Sequence, residues 1–260
     1  MDIVQFSDFH FGNENAVFDW REFANALSSY LTKKVNNPIF IISGDITFKG
    51  RKNGYKEAEK FFKILLASKI TTPPRVIVCP GNHDIVDNSF QDFDRFSYAL
   101  RRNNDCSFTE QSYQEIIIDN CLFKLFNSSY HLDHKYGLID TNSFNKKRSK
   151  HNGLRIAITH HHLLNMVESD TSTIRNAYDF AKHLESESFT YVFHGHQHAA
   201  QNYFFGESSI KVVSARSGNY AERGVLNSVN IYHIDDKDLT GVALIPENST
   251  SGITFKEIEL

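Results

Sequence analysis

An α/β fold is predicted for this chain by two observations. The first ninety residues alternate between apolar runs and segments of helical period, and the last sixty break into short apolar strands. In the first part, Ile3-Val4-Gln5-Phe6 reads as a strand, and Trp20, Phe23, Ala24, Leu27, Tyr30 and Leu31 share one helical face. Pro38 introduces the buried strand Ile39-Phe40-Ile41-Ile42. Tyr55, Ala58, Phe61, Phe62, Leu65 and Leu66 then recur at helical spacing, and Pro73-Pro74 closes the segment ahead of the strand Arg75-Val76-Ile77-Val78-Cys79. A β-α-β-α-β order implies parallel strands joined by right-handed crossovers, and such sheets collect their sites at the carboxyl ends of the strands.

From about residue 87 to 150 the pattern is less regular. Phe90, Phe93, Phe96, Tyr98 and Leu100 predict a helix, Leu122 to Phe126 a strand ending at Asn127-Ser128-Ser129, and Lys146, Lys147, Arg148 and Lys150 a solvated basic loop. Regularity returns with the strand Leu154 to Ile158, a helix around 172–187 and the strand Phe189 to Phe193. Short strands follow at Ile210 to Val213, Val229 to Ile234, Leu239 to Ile245 and Ile253 to Ile258. This β-rich C-terminal half is expected to form a second sheet packed on the first. With no repeat, low-complexity tract or linker, a single domain over 1–260 is expected.

A chain of 260 residues, 40% hydrophobic and 13% aromatic, can bury a large core. The formal charge of −3 and pI near 6.5 give no global basic field for nucleic acid. Cys79, Cys106 and Cys121 show no pairing pattern, so reduced thiols and a cytoplasmic location are expected. A strand beginning at Asp2 leaves no room for a signal peptide, and no apolar run reaches spanning length, so no membrane partner is expected.

Chemistry concentrates in five segments that follow strands: Asp8-Phe9-His10, Gly44-Asp45, Gly81-Asn82-His83-Asp84, Thr159-His160-His161-His162 and Gly195-His196-Gln197-His198. Together they offer carboxylate oxygens, an amide oxygen and imidazoles, a donor set suited to two divalent cations. Extended backbone would point Asp8 and His10 the same way, and likewise His196 and His198, because side chains alternate with period two. Gly44 permits a sharp turn before Asp45, whose two oxygens could bridge two ions. Ions roughly 3.5–4 Å apart turn a bridging water into a hydroxide that attacks phosphorus in line.

These segments, in this order, resemble the motifs DxH, GD, GNH[DE], H and GHxH of the calcineurin-like metallophosphoesterase superfamily. The resemblance implies a four-layer α-β-β-α sandwich of two mixed sheets flanked by helices. It implies one metal held by Asp8, His10, Asp45 and His198. A second would be held by Asp45, Asn82, His196 and either His160 or His161, with His162 set aside. Mn, Fe, Zn or Ni fits these donors, with Mn favoured. By the same resemblance, His83 stabilises the transition state or protonates the leaving oxygen, and Asp84 orients its ring. Phe48 stands where many members carry an acid, which is expected to change the packing or shape of the pocket.

The implied activity is hydrolysis of phosphoesters, with diesters favoured: a cyclic nucleotide, a glycerophosphodiester or nucleic acid. A nuclease of the same superfamily and a non-catalytic scaffold are the alternatives, and the chain could be the catalytic part of a longer protein. His131, His134, His151, His183 and His233 read as surface or capping residues, and His194 as a packed one.

Overall fold

The computed structural model describes residues 1–103, 107–144, 151–166, 168–222, 224–236 and 238–260. Cys106 and the basic run Lys146, Lys147, Arg148 and Lys150 lie outside them. Among the described residues, two mixed six-stranded sheets are flanked by four α-helices.

The first sheet is built on β1 (Asp2–Phe6), β2 (Ile39–Ser43) and β3 (Val76–Cys79), which are parallel, as the alternating pattern predicts. Their crossovers are α1 (Trp20–Lys34) and α2 (Lys52–Ala67). Asp19 caps α1 by accepting from the backbone N–H of Arg21 and Glu22, and Lys33 and Lys34 sit in its last turn, where the helix dipole favours cations. A third helix, α3 (Gln91–Arg101), packs beside α2.

The second sheet contains β4 (Tyr113–Ile118), β5 (Cys121–Phe126), β6 (Leu154–Ile158), β7 (Tyr191–His194), β8 (Asn202–Phe205) and β9 (Ile210–Ser214), in the order β4-β5-β6-β7-β9-β8. Helix α4 (Ala177–Ser186) covers it. That helix is shorter than the predicted 172–187. The Gly137 N–H donates to Ser172 O and Thr173 O, and Arg175 N–H donates to Gly137 O, which hold the preceding residues in an irregular connection.

One expectation is corrected. Of the predicted C-terminal strands, Ile210 to Val213 joins the second sheet within β9, but the last three do not. β10 (Val229–Asp235) pairs antiparallel with the open edge of β1, and β11 (Asp238–Ser249) and β12 (Gly252–Glu259) continue outward by hairpins. The first sheet therefore runs β12-β11-β10-β1-β2-β3.

Phenylalanines join sheet to helix. Phe6, Phe9, Phe23, Phe61 and Phe62 are buried, with Phe6 5.2 Å from Phe62 and Phe9 5.1 Å from Phe61 between ring centroids. Each such ring contributes about 1.5–3 kcal/mol of burial. Phe193 meets Tyr232 edge to face at 5.3 Å across the two sheets, and Phe126 meets Phe180 of α4 at 4.9 Å. Gln5 donates to the His194 carbonyl (3.0 Å) and to Ser43 Oγ (3.2 Å), a polar tie between the sheets beneath the site.

Candidate metal centre

The strands of the two sheets deliver their C-terminal loops to one place. The loop after β1 runs beside the loop after β2, with Asp8 N–H donating to Gly44 O, His10 N–H to Asp45 O and Phe11 N–H to Ile46 O. In the second sheet, Gly195 N–H donates to His160 O. Two contacts then cross between the sheets: His196 N–H donates to Asp8 Oδ2 at 3.0 Å, and His160 Nδ1 meets Ser43 O at 2.9 Å.

The co-orientation expected from extended backbone is produced by another device. β1 ends at Phe6, and Asp8, His10, Asp45, His196 and His198 all have positive φ, between 47° and 72°. Left-handed residues alternate with ordinary ones, so the loops coil while still sending Asp8 and His10, and His196 and His198, into one space. Non-glycine residues in this region carry strain, which gathers where surrounding contacts over-determine the backbone. Gly44 has φ +96°, and a Cβ there would press into the His160 ring. This glycine is required both by its conformation and by the approach of a site imidazole.

The predicted residues converge, except that Asp84 and His161 turn away. His160 Nε2 lies 3.1 Å from Asn82 Oδ1, 3.1 Å from His196 Nδ1 and 3.4 Å from Asp45 Oδ1. His198 Nε2 lies 3.4 Å from Asp8 Oδ1 and 3.4 Å from His10 Nε2, and His10 Nε2 is 3.7 Å from Asp45 Oδ2. The two oxygens of Asp45 thus face two different clusters. Three sets of donor atoms close enough to share an ion emerge: Asp8, His10 and His198; His10, Asp45 and His83; and Asp45, His160 and His196. His161 points elsewhere: its Nδ1 is 2.8 Å from Ser128 Oγ, and its buried Nε2 makes no hydrogen bond. His162 lies 2.7 Å from Asp170.

A cation answers the electrostatics of this cluster. Asp8 Oδ1 is buried and makes no hydrogen bond among the described residues. Burial alone would raise the Asp8 carboxyl, but its pairing with His198 at 3.4 Å and the charges of His160 and His198 hold it far below the ordinary range. Asp45 is likewise lowered: burial opposes, and the charges of His160 and His83 prevail. Burial also opposes protonation of His160 and His198, yet Asp45 and Asp8 in the first case, and Asp8 and Glu222 in the second, raise both to about 9. Burial pushes His10 down to about 4 and His196 to about 3, which keeps them neutral as ligands must be. The two buried carboxylates draw positive charge into their surroundings, and the donors are oxygen and imidazole without thiolate. That set fits divalent cations of the Mn, Fe, Zn or Ni type.

The role expected of Asp84 is corrected. Its carboxylate accepts from Gly81 N–H (2.9 Å), Ile46 N–H (3.2 Å) and the Tyr55 hydroxyl (3.0 Å), bracing the loops after β2 and β3 rather than orienting the His83 ring. The ring's Nδ1 instead accepts from Lys49 N–H at 3.3 Å, and His83 N–H donates to Asp45 Oδ1 at 2.8 Å. Burial and the Asp45 charge lift the Asp84 carboxyl to about 7.

Sequence reasoning missed several supporting residues. His134, read as a surface residue, meets Asn82 O through its Nδ1 (2.7 Å), and its carbonyl accepts from Asn82 Nδ2 (3.2 Å), which turns Asn82 Oδ1 toward His160. Glu222 contacts His198 Nδ1 at 2.7 Å. Phe48 and Tyr220 join His10, Asp45, His83, His196, His198 and Glu222 around a cavity of about 270 Å³. No motif spacing marks His134, Tyr220 or Glu222. His183, also expected at the surface, is buried against Phe144, with ring centroids 4.3 Å apart.

Solved structures share this fold. A dimetal phosphatase from Danio rerio aligns over 94% of this chain and 95% of its own, at 10% identity and a TM-score of 0.65. GAP50, the anchor in the inner membrane complex of Plasmodium, aligns over 100% of this chain and 89% of its own, at 9% identity and a TM-score of 0.56. A single mutant of Vps29 from Entamoeba histolytica aligns over 100% and 99%, at 12% identity and a TM-score of 0.50. Among curated protein sequences, none matches. Among the described residues, no helix is long and apolar enough to cross a membrane. The family model of the calcineurin-like phosphoesterases matches residues 1–200, a span that holds every segment from Asp8 to His198, and the chain belongs to that family.

Proposed function

We propose that this chain, as one domain, is a dinuclear-metal phosphoesterase that prefers phosphodiesters to monoesters. Its first cation is held by Asp8, His10, Asp45 and His198, and its second by Asp45, Asn82, His160 and His196. The observation that carries this assignment is the division of the Asp45 carboxylate. Its Oδ1 faces His160 at 3.4 Å while its Oδ2 faces His10 at 3.7 Å, so one residue serves both clusters. His160 is favoured over His161 because its Nε2 faces Asn82, Asp45 and His196, whereas His161 engages Ser128.

Two bound cations would supply an activated water and a clamp on the phosphoryl oxygens. The protein's own groups do the rest. The Lys49 N–H aimed at His83 Nδ1 makes that nitrogen the acceptor, which places the ring N–H at Nε2. From the cavity wall, the His83 Nε2–H offers a hydrogen bond to an equatorial or leaving oxygen as negative charge develops there. Asp84, through Gly81 and Ile46, keeps Asn82 and Asp45 at their stations. Glu222 orients His198. Preference for diesters is supported by the lining: its described residues include neither lysine nor arginine to pair the second negative charge of a monoester, and the nearby Lys49 and Arg51 charges are engaged over the Phe48 ring.

The test is purified protein with Mn²⁺, assayed on bis(p-nitrophenyl) phosphate and p-nitrophenyl phosphate, with elemental analysis alongside. Two metal equivalents and a higher kcat/KM on the diester are expected. Absence of both metal and turnover would favour a scaffold instead.

A further inference from the structure

Phe48, the departure noted in the sequence, lines the cavity together with Tyr220. The two rings are nearly parallel, with centroids 6.4 Å apart and planes inclined by 20°. Phe48 also lies 5.8 Å from the His83 ring, and Tyr220 lies 4.9 Å from His10 and 5.7 Å from His198. Both are half-buried and fixed through their backbone: Phe48 N–H donates to Phe11 O, Tyr220 N–H to Ser217 Oγ, and Asn227 Nδ2 donates to Tyr220 O. Two carbon-rich walls therefore stand beside the proposed ligands, where a group attached to the reacting phosphorus must lie.

The charges around this rim narrow what it can hold. Lys49 Nζ lies 5.2 Å and Arg51 Cζ 5.3 Å from the Phe48 centroid, so cations already occupy the ring's negative potential. A trimethylammonium such as that of choline would find the Phe48 face already engaged, and the Glu222 carboxylate on the same lining is paired with His198. Glycerol hydroxyls would lose water and gain no partner from the ring carbons. A flat neutral ring gains apolar contact and stacking at no such cost.

We propose that Phe48 and Tyr220 form a stacking rim for a planar base or aryl group on the scissile phosphodiester, so that nucleotide-type diesters are selected over glycerol- or choline-bearing ones. This assignment rests on the phosphoesterase proposal above.

The test uses the full chain loaded with Zn²⁺ and three probes: AMP, ribose 5-phosphate and phosphocholine. Binding is read by saturation-transfer NMR, and competition by inhibition of bis(p-nitrophenyl) phosphate turnover. AMP should bind about tenfold more tightly than ribose 5-phosphate, in keeping with base–aromatic stacking, and its H2 and H8 protons should take up saturation. Phosphocholine should bind most weakly. Phe48→Leu and, separately, Tyr220→Leu should bring the AMP to ribose 5-phosphate ratio to within about twofold, while Phe48→Tyr should keep it. Equal binding of the two sugar phosphates by the unaltered protein overturns the rim without recourse to any variant. If the protein still hydrolyses bis(p-nitrophenyl) phosphate in that case, only the rim falls. A protein that takes up no metal and turns over no phosphoester overturns the underlying phosphoesterase proposal, and the rim with it.

Discussion

The two sheets contribute unequally to the site. Of the proposed ligands, the first supplies the oxygen donors Asp8, Asp45 and Asn82 and the imidazole of His10, and the second the imidazoles of His160, His196 and His198. Carboxylate charge thus enters from one side and imidazoles alone from the other. The first sheet should therefore set how strongly cations are attracted, and the second how they are placed.

The sharpest way to break this contrast is Asp45→Ala. Losing the one carboxylate that faces both clusters should abolish binding of both ions in elemental analysis and reduce turnover to background. Retention of two metal equivalents would show that Asp45 is not shared.

On the imidazole side, His160→Ala and His161→Ala should separate. Losing His160 should remove about one metal equivalent and lower kcat/KM by roughly 10²–10⁴, a loss comparable to that of an acid–base group. Losing His161 should leave the metal content intact, because both its Nδ1 and its backbone N–H engage Ser128 Oγ. The reverse outcome would reassign the ligand.

His83→Ala sharpens the comparison differently, since His83 belongs to the oxygen-donating sheet without being assigned as a ligand. Both metals should stay while kcat falls by roughly 10²–10⁴. Unchanged turnover would remove His83 from the chemistry.

The smallest effect is expected away from the seam, at His183. Burial, followed by the nearby Lys124 charge, depresses its imidazole to about 4, and its Nε2 is buried without a hydrogen-bond partner. The unfolded chain therefore takes up a proton near pH 6.5 that the folded protein refuses. This residue's share of stability is fully present above pH 6.5 and is lost as the pH falls toward 4. His183→Phe should flatten that decline. Urea midpoints at pH 7.5 and 5 would be compared, and an identical pH dependence in the variant would refute the assignment.

Much of the site was legible because turn residues and ligand types sit together after apolar runs, as in Gly44-Asp45 and Gly195-His196-Gln197-His198. The parallel core β1-β2-β3 was legible for a related reason: continuous apolar strands separated by helical periods admit few other arrangements. Directions were harder. Asp84 lies next to His83 in sequence, yet its side chain turns toward Gly81 and Ile46, a choice made by unsatisfied backbone N–H groups that no spacing reveals. β4 escaped notice because it is an edge strand with alternate exposed positions, and β8 because it has only four residues. The sheet joined by β10 was set by the vacant edge of β1, a property of the assembled fold and not of the segment. Tyr220 and Glu222 reach the cavity from a loop far along the chain, where neither period nor motif marks them.

The tie from Gln5 to the His194 carbonyl and Ser43 carries a mechanical implication. Adjacent residues along a strand are about 3.3 Å apart, as wide as the gaps between the proposed ligand atoms themselves. Slippage of one layer against the other by a single step would scatter the cluster entirely. A side chain that pins the layers at that point acts as an alignment peg, converting the rigidity of two packed sheets into the tolerance that chemistry between them demands.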